Sequence, residues 1–289
     1  MHSLENQTVK PDEVLVVIDG STDGTANFLR NEKFNLKEFR FIEQENGGRA
    51  KVRNAGAGEA TGDLLVFFDD DMIPGKDCLL EHIKHHQEKN NSILTGAQID
   101  KNDQSSTDFQ KFKSYLSEKW SKDLIANGNE PLLKEKSFIT AANFSVSRNL
   151  FLALGGFDEQ LSDAEDFDLG VRAKNTGVAL YYNHDAFAWH HDSLTGISYV
   201  KRLRQYRKAH LQLKQLKPGL FREFPKHLLV QPQGLKNLFF LFFATRFWIN
   251  WLDSSLFKGL IPRFIRYKVY DWIITSNGVY FPEQVKIEN

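Results

Sequence analysis

The sequence predicts an α/β fold in which a mostly parallel sheet is flanked by helices, followed by a helical C-terminal region rich in basic and aromatic residues. Three observations predict this organisation. Short apolar segments alternate with helical segments between residues 13 and 88. Aspartates directly follow two of the apolar segments, and ligands of parallel sheets bind at the carboxyl ends of strands. The chain also divides into an acidic part and a basic part.

Two strand–turn–helix units open the chain. In each, an apolar run ends in a turn of Asp, Asn, Gly or Ser, and a helical pattern follows. Thr25 is the predicted cap of the first helix. The segments are EVLVVIDGSTDGT (13–25) with a helix over 25–34, and FRFIEQENGG (39–48) with a helix over 49–62.

A run of three aspartates ends the third predicted strand. In LLVFFDDDMIPG (64–75), five apolar residues lead directly into Asp69, Asp70 and Asp71. Two unit charges about 4 Å apart repel by roughly 4 kcal/mol at an effective dielectric constant of about 20. A solvated turn could hold them, but a divalent cation explains them better, because Mg²⁺ and Mn²⁺ prefer carboxylate oxygens and take their other ligands from phosphate. Alternation along an extended chain points Asp70 away from the other two.

A helix over residues 76–90 follows, with His82, His85 and His86 at i, i+3 and i+4. We predict that these histidines form an exposed polar face, with zinc binding as the alternative. Strand, helix and turn patterns continue to the end of the acidic part of the chain. They are a strand over 92–99, an irregular or helical stretch over 101–136, a strand, helix and turn over 137–161, an acidic helix start over 162–177 and a strand over 178–192.

Composition limits the class of protein. The chain of 289 residues is 41% hydrophobic, which supplies an ordinary globular core. Its single cysteine, Cys78, excludes an internal disulfide framework and agrees with a reducing compartment. No secretory pattern precedes the first strand, so the predicted location is the cytoplasm.

The net charge of zero conceals two regions of opposite charge. Residues 1–192 carry 21 Lys+Arg and 32 Asp+Glu, and residues 193–289 carry 16 and 5, which gives −11 and +11. The sequence therefore predicts two domains with this boundary and with different partners. Nucleic acid is not an expected partner, because the acidic part would repel a phosphate backbone.

The basic region combines positive charge with apolar segments. Residues 197–217 have the pattern of a basic amphipathic helix. Residues 238–252 are apolar apart from Arg246, but a spanning helix needs about 20 apolar residues, so no crossing is predicted. Two interpretations remain open: the aromatic residues pack against the preceding domain, or they form a peripheral surface that meets anionic lipid.

Five segments occur in the order and spacing of the family 2 nucleotide-sugar glycosyltransferases, which the chain resembles over residues 3–192. The resemblance implies the GT-A fold and a nucleoside-diphosphate sugar as donor. It also implies a further strand before the segment 3–14, which the printed sequence does not include. The five segments are EVLVVIDGSTDGT, NGGRAKVRNAG, GDLLVFFDDDM, GGFDE and EDFDLGVRA.

The resemblance implies a role for each matching residue on the donor side. Asp19 would hold the base of the nucleotide, and the cations of the second segment would lie by the pyrophosphate. Asp69 would approach the ribose and the metal, and Asp71 would bind the metal, Mn²⁺ or Mg²⁺. The implied donor-binding residues are Asp19, Arg49, Lys51, Arg53, Asp69 and Asp70, and the implied metal ligands are Asp69, Asp71 and either or both of His190 and His191. A structural role for the two histidines stays open.

On the acceptor side, Asp166 matches the general base of the family, with Glu165 beside it. Neighbouring carboxylates raise the pKa of such a base towards its working range. Asp163 and Asp168 are the fallback candidates. Gly155 and Gly156 of GGFDE would form a flexible turn that lines the acceptor pocket.

Together these features predict a metal-dependent, inverting glycosyltransferase that transfers a sugar to a hydroxyl of a glycan or lipid-linked acceptor. It would work in the cytoplasm, peripherally at the inner face of the cell membrane, in synthesis of cell-envelope polysaccharide. The alternatives are a polyprenyl-phosphate sugar transferase, which needs no strong base, and an inactive scaffold that binds nucleotide sugars.

Overall fold

The computed structural model describes residues 1–101, 105–133, 138–191, 194–223, 231–256 and 258–287. The chain divides into two compact units. The first comprises Met1–Lys101 and Trp120–His191, and the second comprises Asn102–Lys119 and Asp192–Asn289. The junction after residue 191 lies beside the expected boundary at 192. Residues 102–119 group with the second unit, because Phe109 and Phe112 pack in its core.

The first unit alternates strands and helices, and this confirms the α/β class. Helix α2 begins at Thr25 after Gly24, so Thr25 is the first helical residue and not the cap. In chain order the elements are α1 (His2–Glu5), β1 (Val14–Asp19), α2 (Thr25–Asn31), β2 (Phe39–Gln44), α3 (Arg49–Glu59), β3 (Leu64–Phe68), β4 (Met72–Pro74), α4 (Cys78–Glu88), β5 (Ser92–Asp100), the end of α5 (Asp108–Ala126), β6 (Asn143–Ser147), α6 (Arg148–Ala153), α7 (Glu165–Asn175) and β7 (Ala179–His190).

The strands form a two-stranded sheet, β1–β2, and a five-stranded sheet in the order β3-β6-β5-β7-β4. The two longest ladders, β1–β2 and β5–β7, are parallel, and the three shorter ladders are antiparallel. Strand β5 is buried along its first six residues, as expected for a strand covered on both faces. The short strand β4 pairs with the end of β7, which sets Met72 opposite His190.

The prediction of an exposed histidine face on α4 is wrong. His82 is fully buried, and His85 and His86 are half-buried. Asn143 Nδ2 donates to two backbone carbonyls, so its Oδ1 accepts from His82 Nε2 at 3.0 Å. His82 Nδ1 then accepts from Ser145 Oγ at 2.8 Å, and Ser145 Oγ accepts from His86 Nε2 at 2.9 Å. This network assigns the tautomers of two neutral imidazoles.

Burial keeps these histidines uncharged. It lowers the pKa of His82 and of His86 to about 4, and that of His85 to about 3. The zinc alternative gains no support, since no group of three or more metal-ligating side chains occurs in the part of the chain that the structure describes. Buried polar groups need hydrogen-bond partners, and here the partners of the α4 histidines lie on β6. The network therefore holds α4 against the sheet.

The second unit is helical and has an aromatic core. Asp108 accepts hydrogen bonds from Arg266 Nε at 3.0 Å and from the Tyr270 hydroxyl at 2.7 Å. Phe112 packs edge-on against the Tyr270 ring, with centroids 5.3 Å apart. The elements are the start of α5, α8 (Gly196–Leu216), α9 (Pro218–Glu223), α10 (Gly234–Phe243), α11 (Arg246–Asp253), a 3₁₀ turn (Lys258–Leu260), α12 (Arg263–Ile274) and a π-helical turn (Thr275–Tyr280).

Helix α8 occupies the segment predicted to be a basic amphipathic helix. The apolar segment 238–252 is split between α10 and α11 by two residues, Ala244 and Thr245. None of the described helices is both long enough and apolar enough to span a membrane.

Candidate active site

Asp19 ends β1 and holds the glycine turn that follows β2. Its Oδ1 accepts from Gln44 Nε2 at 2.7 Å and from the Gly47 amide at 2.8 Å, and its Oδ2 accepts from the Gly48 amide at 2.9 Å. Burial opposes the charge of this carboxylate, but these donors outweigh it and lower the pKa of Asp19. Gly48 has φ +85°, which residues with a Cβ rarely adopt. The turn therefore needs glycine and an ionised Asp19.

Helix α3 begins at Arg49, immediately after this turn. Arg49 and Lys51 are both exposed. Arg49 NH1 lies 3.5 Å from Asp163 Oδ1. Unpaired amides of a first helical turn carry partial positive charge, so the two cations add to a positive helix end. This end has the charge that a pyrophosphate group requires.

Arg53 joins two parts of the predicted site. Its NH2 lies 2.6 Å from Asp69 Oδ1, at the end of β3, and its NH1 lies 2.6 Å from Glu165 Oε1, at the start of α7. The guanidinium also lies over the Phe157 ring, 5.7 Å from its centroid. Only 12% of the Arg53 side chain is exposed; burial opposes its charge, but the two carboxylates outweigh this and raise the pKa of Arg53. Arg53 thus connects the end of β3 to the start of α7 through two ion pairs.

The aspartates after β3 differ in their surroundings. Asp69 is partly buried against Arg53, whereas Asp70 and Asp71 are exposed. Asp71 Oδ2 lies 3.2 Å from His190 Nε2, and this contact lowers the pKa of Asp71. His190 Nδ1 lies 3.6 Å from Asp100 Oδ1 on β5.

His191 is exposed, and its amide donates to the Asp71 carbonyl at 2.9 Å. Of the two histidines, His190 is therefore the one whose imidazole meets an aspartate of the run. The described residues contain no preformed group of three metal ligands. Asp71 and His190 offer two adjacent donor groups, which fits a divalent cation that takes its other ligands from phosphate.

Helix α7 presents acidic residues at its first turn. Ala164, immediately before it, has φ +66°, an uncommon conformation for a residue with a Cβ. Glu165 is buried, and its Oε2 has no hydrogen-bond partner among the described residues. Asp166 accepts from the Phe167 amide at 2.7 Å and from the Ala141 amide at 3.4 Å. Burial, together with the charge of Glu165, raises the pKa of Asp166 to about 6.

The fallback acids have other contacts. Asp163 Oδ1 accepts from the Ala164 amide at 3.1 Å and faces Arg49. Asp168 is fully buried and pairs with Arg172 Nε at 2.8 Å. Both carboxylates are engaged in holding local structure.

The GGFDE turn, expected to be flexible, is held from two sides. Asn54 of α3 donates to the Phe157 carbonyl at 2.9 Å, and its Oδ1 accepts from the Phe157 amide at 2.9 Å. Arg172 of α7 donates from NH2 to the Gly156 carbonyl at 2.6 Å, and from NH1 to the carbonyl preceding Gly155. A Cβ at Gly156 would lie 2.7 Å from Asn54 Oδ1, so a larger residue would displace the Asn54 side chain from its contacts with the turn.

Sequence reasoning missed three residues that position this site: Asn54, Asp100 and Arg172. Asn54 and Arg172 are single polar residues within helices, and Asp100 is the last residue of β5. Asn54 follows Arg53 in the segment NGGRAKVRNAG, and that adjacency is the available signal. Arg172 stands in the segment EDFDLGVRA, four residues after Asp168, and that spacing was its available signal. Asp100 lies in none of the five segments and became visible only once His190 was placed.

Comparison with known proteins identifies the family and the fold of the chain. The family model described as Glycosyl transferase family 2 matches residues 1–155. The O-antigen chain rhamnosyltransferase WbaN of Salmonella anatum is 27% identical over 205 residues, covering 67% of this chain and 61% of WbaN. The chain spans about three fifths of the length of the curated relatives that it matches over the longest stretches, 60% and 61%.

Two solved structures have the same fold. S. aureus TarS 1–349 in complex with UDP aligns with a TM-score of 0.54 at 18% identity, over 95% of this chain and 84% of that chain. The mannosyltransferase PcManGT from Pyrobaculum calidifontis, in complex with GDP-Man and Mn²⁺, aligns with a TM-score of 0.59 at 16% identity, over 95% and 80%. These likenesses show the GT-A fold of nucleotide-sugar glycosyltransferases. The chain belongs to glycosyl transferase family 2.

Proposed function

We propose that this chain transfers a sugar from a nucleoside-diphosphate donor to a hydroxyl of a glycan or lipid-linked acceptor, with inversion. The observation that carries the proposal is the two ion pairs that Arg53 makes. They link Asp69, on the predicted donor side, to Glu165, the neighbour of the predicted base. This single buried cation holds the predicted donor side and the predicted acceptor side next to each other, as direct displacement requires.

On the acceptor side, Asp166 removes the proton from the attacking hydroxyl. A base works best when its pKa lies near the operating pH, and the pKa of Asp166 is about 6. Burial raises that pKa, and the charge of Glu165, which pairs with Arg53, adds to the effect. The clamped glycine turn, through Gly155 and Gly156, lines the acceptor side.

On the donor side, Asp19 holds the nucleotide base, and Arg49 and Lys51 face the diphosphate. Arg53 acts through the carboxylates it holds. Asp71 and His190, with Asp69 and Asp70 beside them, hold a divalent cation, Mn²⁺ or Mg²⁺. When bound, the cation supplies Lewis-acid stabilisation of the departing diphosphate. PcManGT, of the same fold, was solved with Mn²⁺.

A polyprenyl-phosphate acceptor is the alternative within the enzyme class. Such an acceptor already carries a negative oxygen and needs no strong base, so the raised pKa of Asp166 favours a hydroxyl acceptor. The relative WbaN is an O-antigen chain rhamnosyltransferase, which supports a role in cell-envelope polysaccharide synthesis. We place the protein in the cytoplasm, peripherally at the inner face of the membrane, on the basis of its basic, apolar second unit.

The first test measures donor binding by thermal shift with UDP, GDP and dTDP, each with and without Mn²⁺, because a ligand of the native state raises its melting temperature. We expect stabilisation to depend on Mn²⁺ in the parent protein and to lose that dependence in Asp71→Asn. Asp63→Asn, an exposed aspartate at the opposite end of β3, is the matched control. Equal nucleotide stabilisation with and without Mn²⁺ in the parent protein would refute metal dependence.

Donor hydrolysis separates an enzyme from an inactive scaffold. An active site releases nucleoside diphosphate slowly in the absence of acceptor, and a scaffold does not. Identification of the product then distinguishes a glycosylated hydroxyl from a polyprenyl-phosphate sugar.

A further inference from the structure

Helix α10 exposes an apolar face. Leu235, Leu238, Phe239 and Phe242 lie at i, i+3, i+4 and i+7, so they share one side of the helix. Their exposed fractions are 86%, 61%, 41% and 61%. Soluble helices usually bury such a stripe, so its exposure indicates a surface that meets an apolar partner.

The exposed side chains continue onto α11. The Phe242 ring lies 5.5 Å from the Trp248 ring, and Trp248 lies 5.2 Å from Phe247, which is 67% exposed. Both helices also contribute buried residues to the core, Phe243 and Ile249. We call the exposed set, Leu235, Leu238, Phe239, Phe242 and Phe247, the α10–α11 face.

Both charged residues of the segment that carries this face are positive. Between Gln231 and Leu252 the sequence has two charged residues, Lys236 and Arg246, and both are exposed. The first acidic residue after them, Asp253, accepts from the amides of Gly196 and Ile197 at 2.6 and 3.1 Å, and so caps α8. Residues 193–289 carry a net charge of +11.

We infer that the α10–α11 face docks on an anionic lipid surface, with its Phe and Leu side chains among the acyl chains and Lys236 and Arg246 at the headgroups. The inference rests on the peripheral location in the proposed function and adds the face, the depth and the lipid class. Aromatic and aliphatic side chains beside cations match the chemistry of a membrane interface. A second copy of the chain would bring two faces of like charge together, and this disfavours a dimer at the same surface.

Flotation with vesicles tests the inference. The parent chain should float with vesicles of phosphatidylcholine and phosphatidylglycerol, and less with phosphatidylcholine alone. Salt screens charges beyond about 8 Å at physiological ionic strength, so high salt should reduce the bound fraction while inserted side chains retain part of it. Leu238→Glu with Phe242→Glu should lower the bound fraction by about tenfold or more, because both charges would enter an apolar layer.

Leu211→Glu is the matched control, since Leu211 is an exposed leucine on α8 of the same unit, 42% exposed. It should bind vesicles within about twofold of the parent, as expected for a single charge away from the docking face. Thermal melts of both variants check folding. Donor binding in the absence of lipid, measured on the same variants, tests the proposed function separately, because the face contains none of the predicted site residues.

A second measurement uses the parent protein, in which the α10–α11 face is intact. Vesicles with brominated acyl chains quench tryptophan fluorescence at short range, so they should quench the parent protein, and Trp248→Phe should remove most of the quenching. Absence of flotation and of quenching with a folded chain would overturn the inference. A dimer that the double Glu variant dissociates, without vesicle binding, would assign the face to a second copy instead.

Discussion

The predicted site of the first unit and the aromatic core of the second unit are held mainly by different contacts. In the first unit, Arg53, Asn54 and Arg172 each make directional contacts to two or more partners, at distances near 2.6 to 3.0 Å. In the second unit, rings such as Phe112 and Tyr267 pack at centroid distances near 5 to 6 Å, beside the carboxylate of Asp108. Ion pairs and hydrogen bonds fix atoms precisely but cost desolvation, whereas aromatic packing stabilises with less geometric demand.

This contrast is consistent with the proposal that the first unit carries the chemistry and the second unit supports it. Precise placement is found in the unit that carries the predicted donor and acceptor residues. The aromatic unit has an ordinary core and an exposed apolar face. Variants that remove one directional contact, compared with variants that remove one packing contact, test this division.

The largest effect is expected for Asp166→Asn. Loss of the base should reduce transfer by about 10² to 10⁴ while donor affinity stays close to that of the parent. In the parent protein, transfer should fall as the pH drops below about 6, because protonated Asp166 cannot accept the proton. Initial rates and donor titrations across pH 5 to 8 measure both effects.

The Asn variant should lose this acidic limb of the pH profile along with its rate. Transfer near the parental rate in Asp166→Asn would instead assign the base to Glu165, Asp163 or Asp168. Asp168→Asn, by contrast, should act on folding, because it breaks the pair with Arg172.

The next effect concerns stability and compares the two units directly. Arg53→Met should lower the free energy of unfolding by about 3–5 kcal/mol, because it leaves the buried Glu165 carboxylate without its partner. Phe112→Ala in the aromatic core should cost a similar amount, about 3–5 kcal/mol, through lost contacts and a cavity. Urea unfolding of each variant measures the two values.

Second substitutions separate the mechanisms. Glu165→Met added to Arg53→Met should recover a large part of the loss, since it removes the uncompensated charge. Phe112→Leu should cost less than Phe112→Ala because it retains apolar volume. If the double variant were no more stable than Arg53→Met, the cost would lie in packing, and the two units would not differ in the way described.

The smallest effect is a pH dependence of stability at the histidine network. The pKa of His82 is 6.5 when exposed and about 4 in the fold, so above pH 6.5 both states are neutral. As the pH falls below 6.5, the unfolded state binds a proton that the folded state refuses, and stability decreases until about pH 4. From pH 7.5 to pH 5, His82 alone should account for about 2 kcal/mol.

Unfolding free energies at a series of pH values, measured on the parent and on His82→Gln, isolate this contribution. Glutamine keeps the hydrogen-bonding capacity but does not titrate, and Asp166 titrates equally in both proteins. Identical pH slopes for the two proteins would show that His82 is not the residue responsible.

Local sequence patterns predicted much of the fold. The strands ending at Asp19 and before Asp69, and the acidic start of α7, lie within a few residues of their predicted positions. These segments are short-range signals: an apolar run buries itself, and Gly, Asp and Ser end it. The same signals explain why the aspartates at strand ends could be selected before any contact was seen.

The exposed face expected for His82, His85 and His86 failed for a physical reason. Spacing along a helix places residues on a common face but does not say whether that face meets water or a sheet. Here Asn143 and Ser145 of β6 supply hydrogen-bond partners that offset the cost of burying neutral imidazoles. Those partners lie about 60 residues away in the chain, and no local pattern contains them.

The sequence by itself determined the order of elements, the acidic strand ends and the opposite charges of the two regions, because these depend on composition and on neighbours within a few residues. Only the tertiary structure decided which charges meet. It paired Arg53 with Asp69 and Glu165, chose His190 over His191 to face Asp71, and clamped the glycine turn between Asn54 and Arg172. Such pairings depend on distances between residues remote in sequence, and these are fixed when the sheet and its helices pack together.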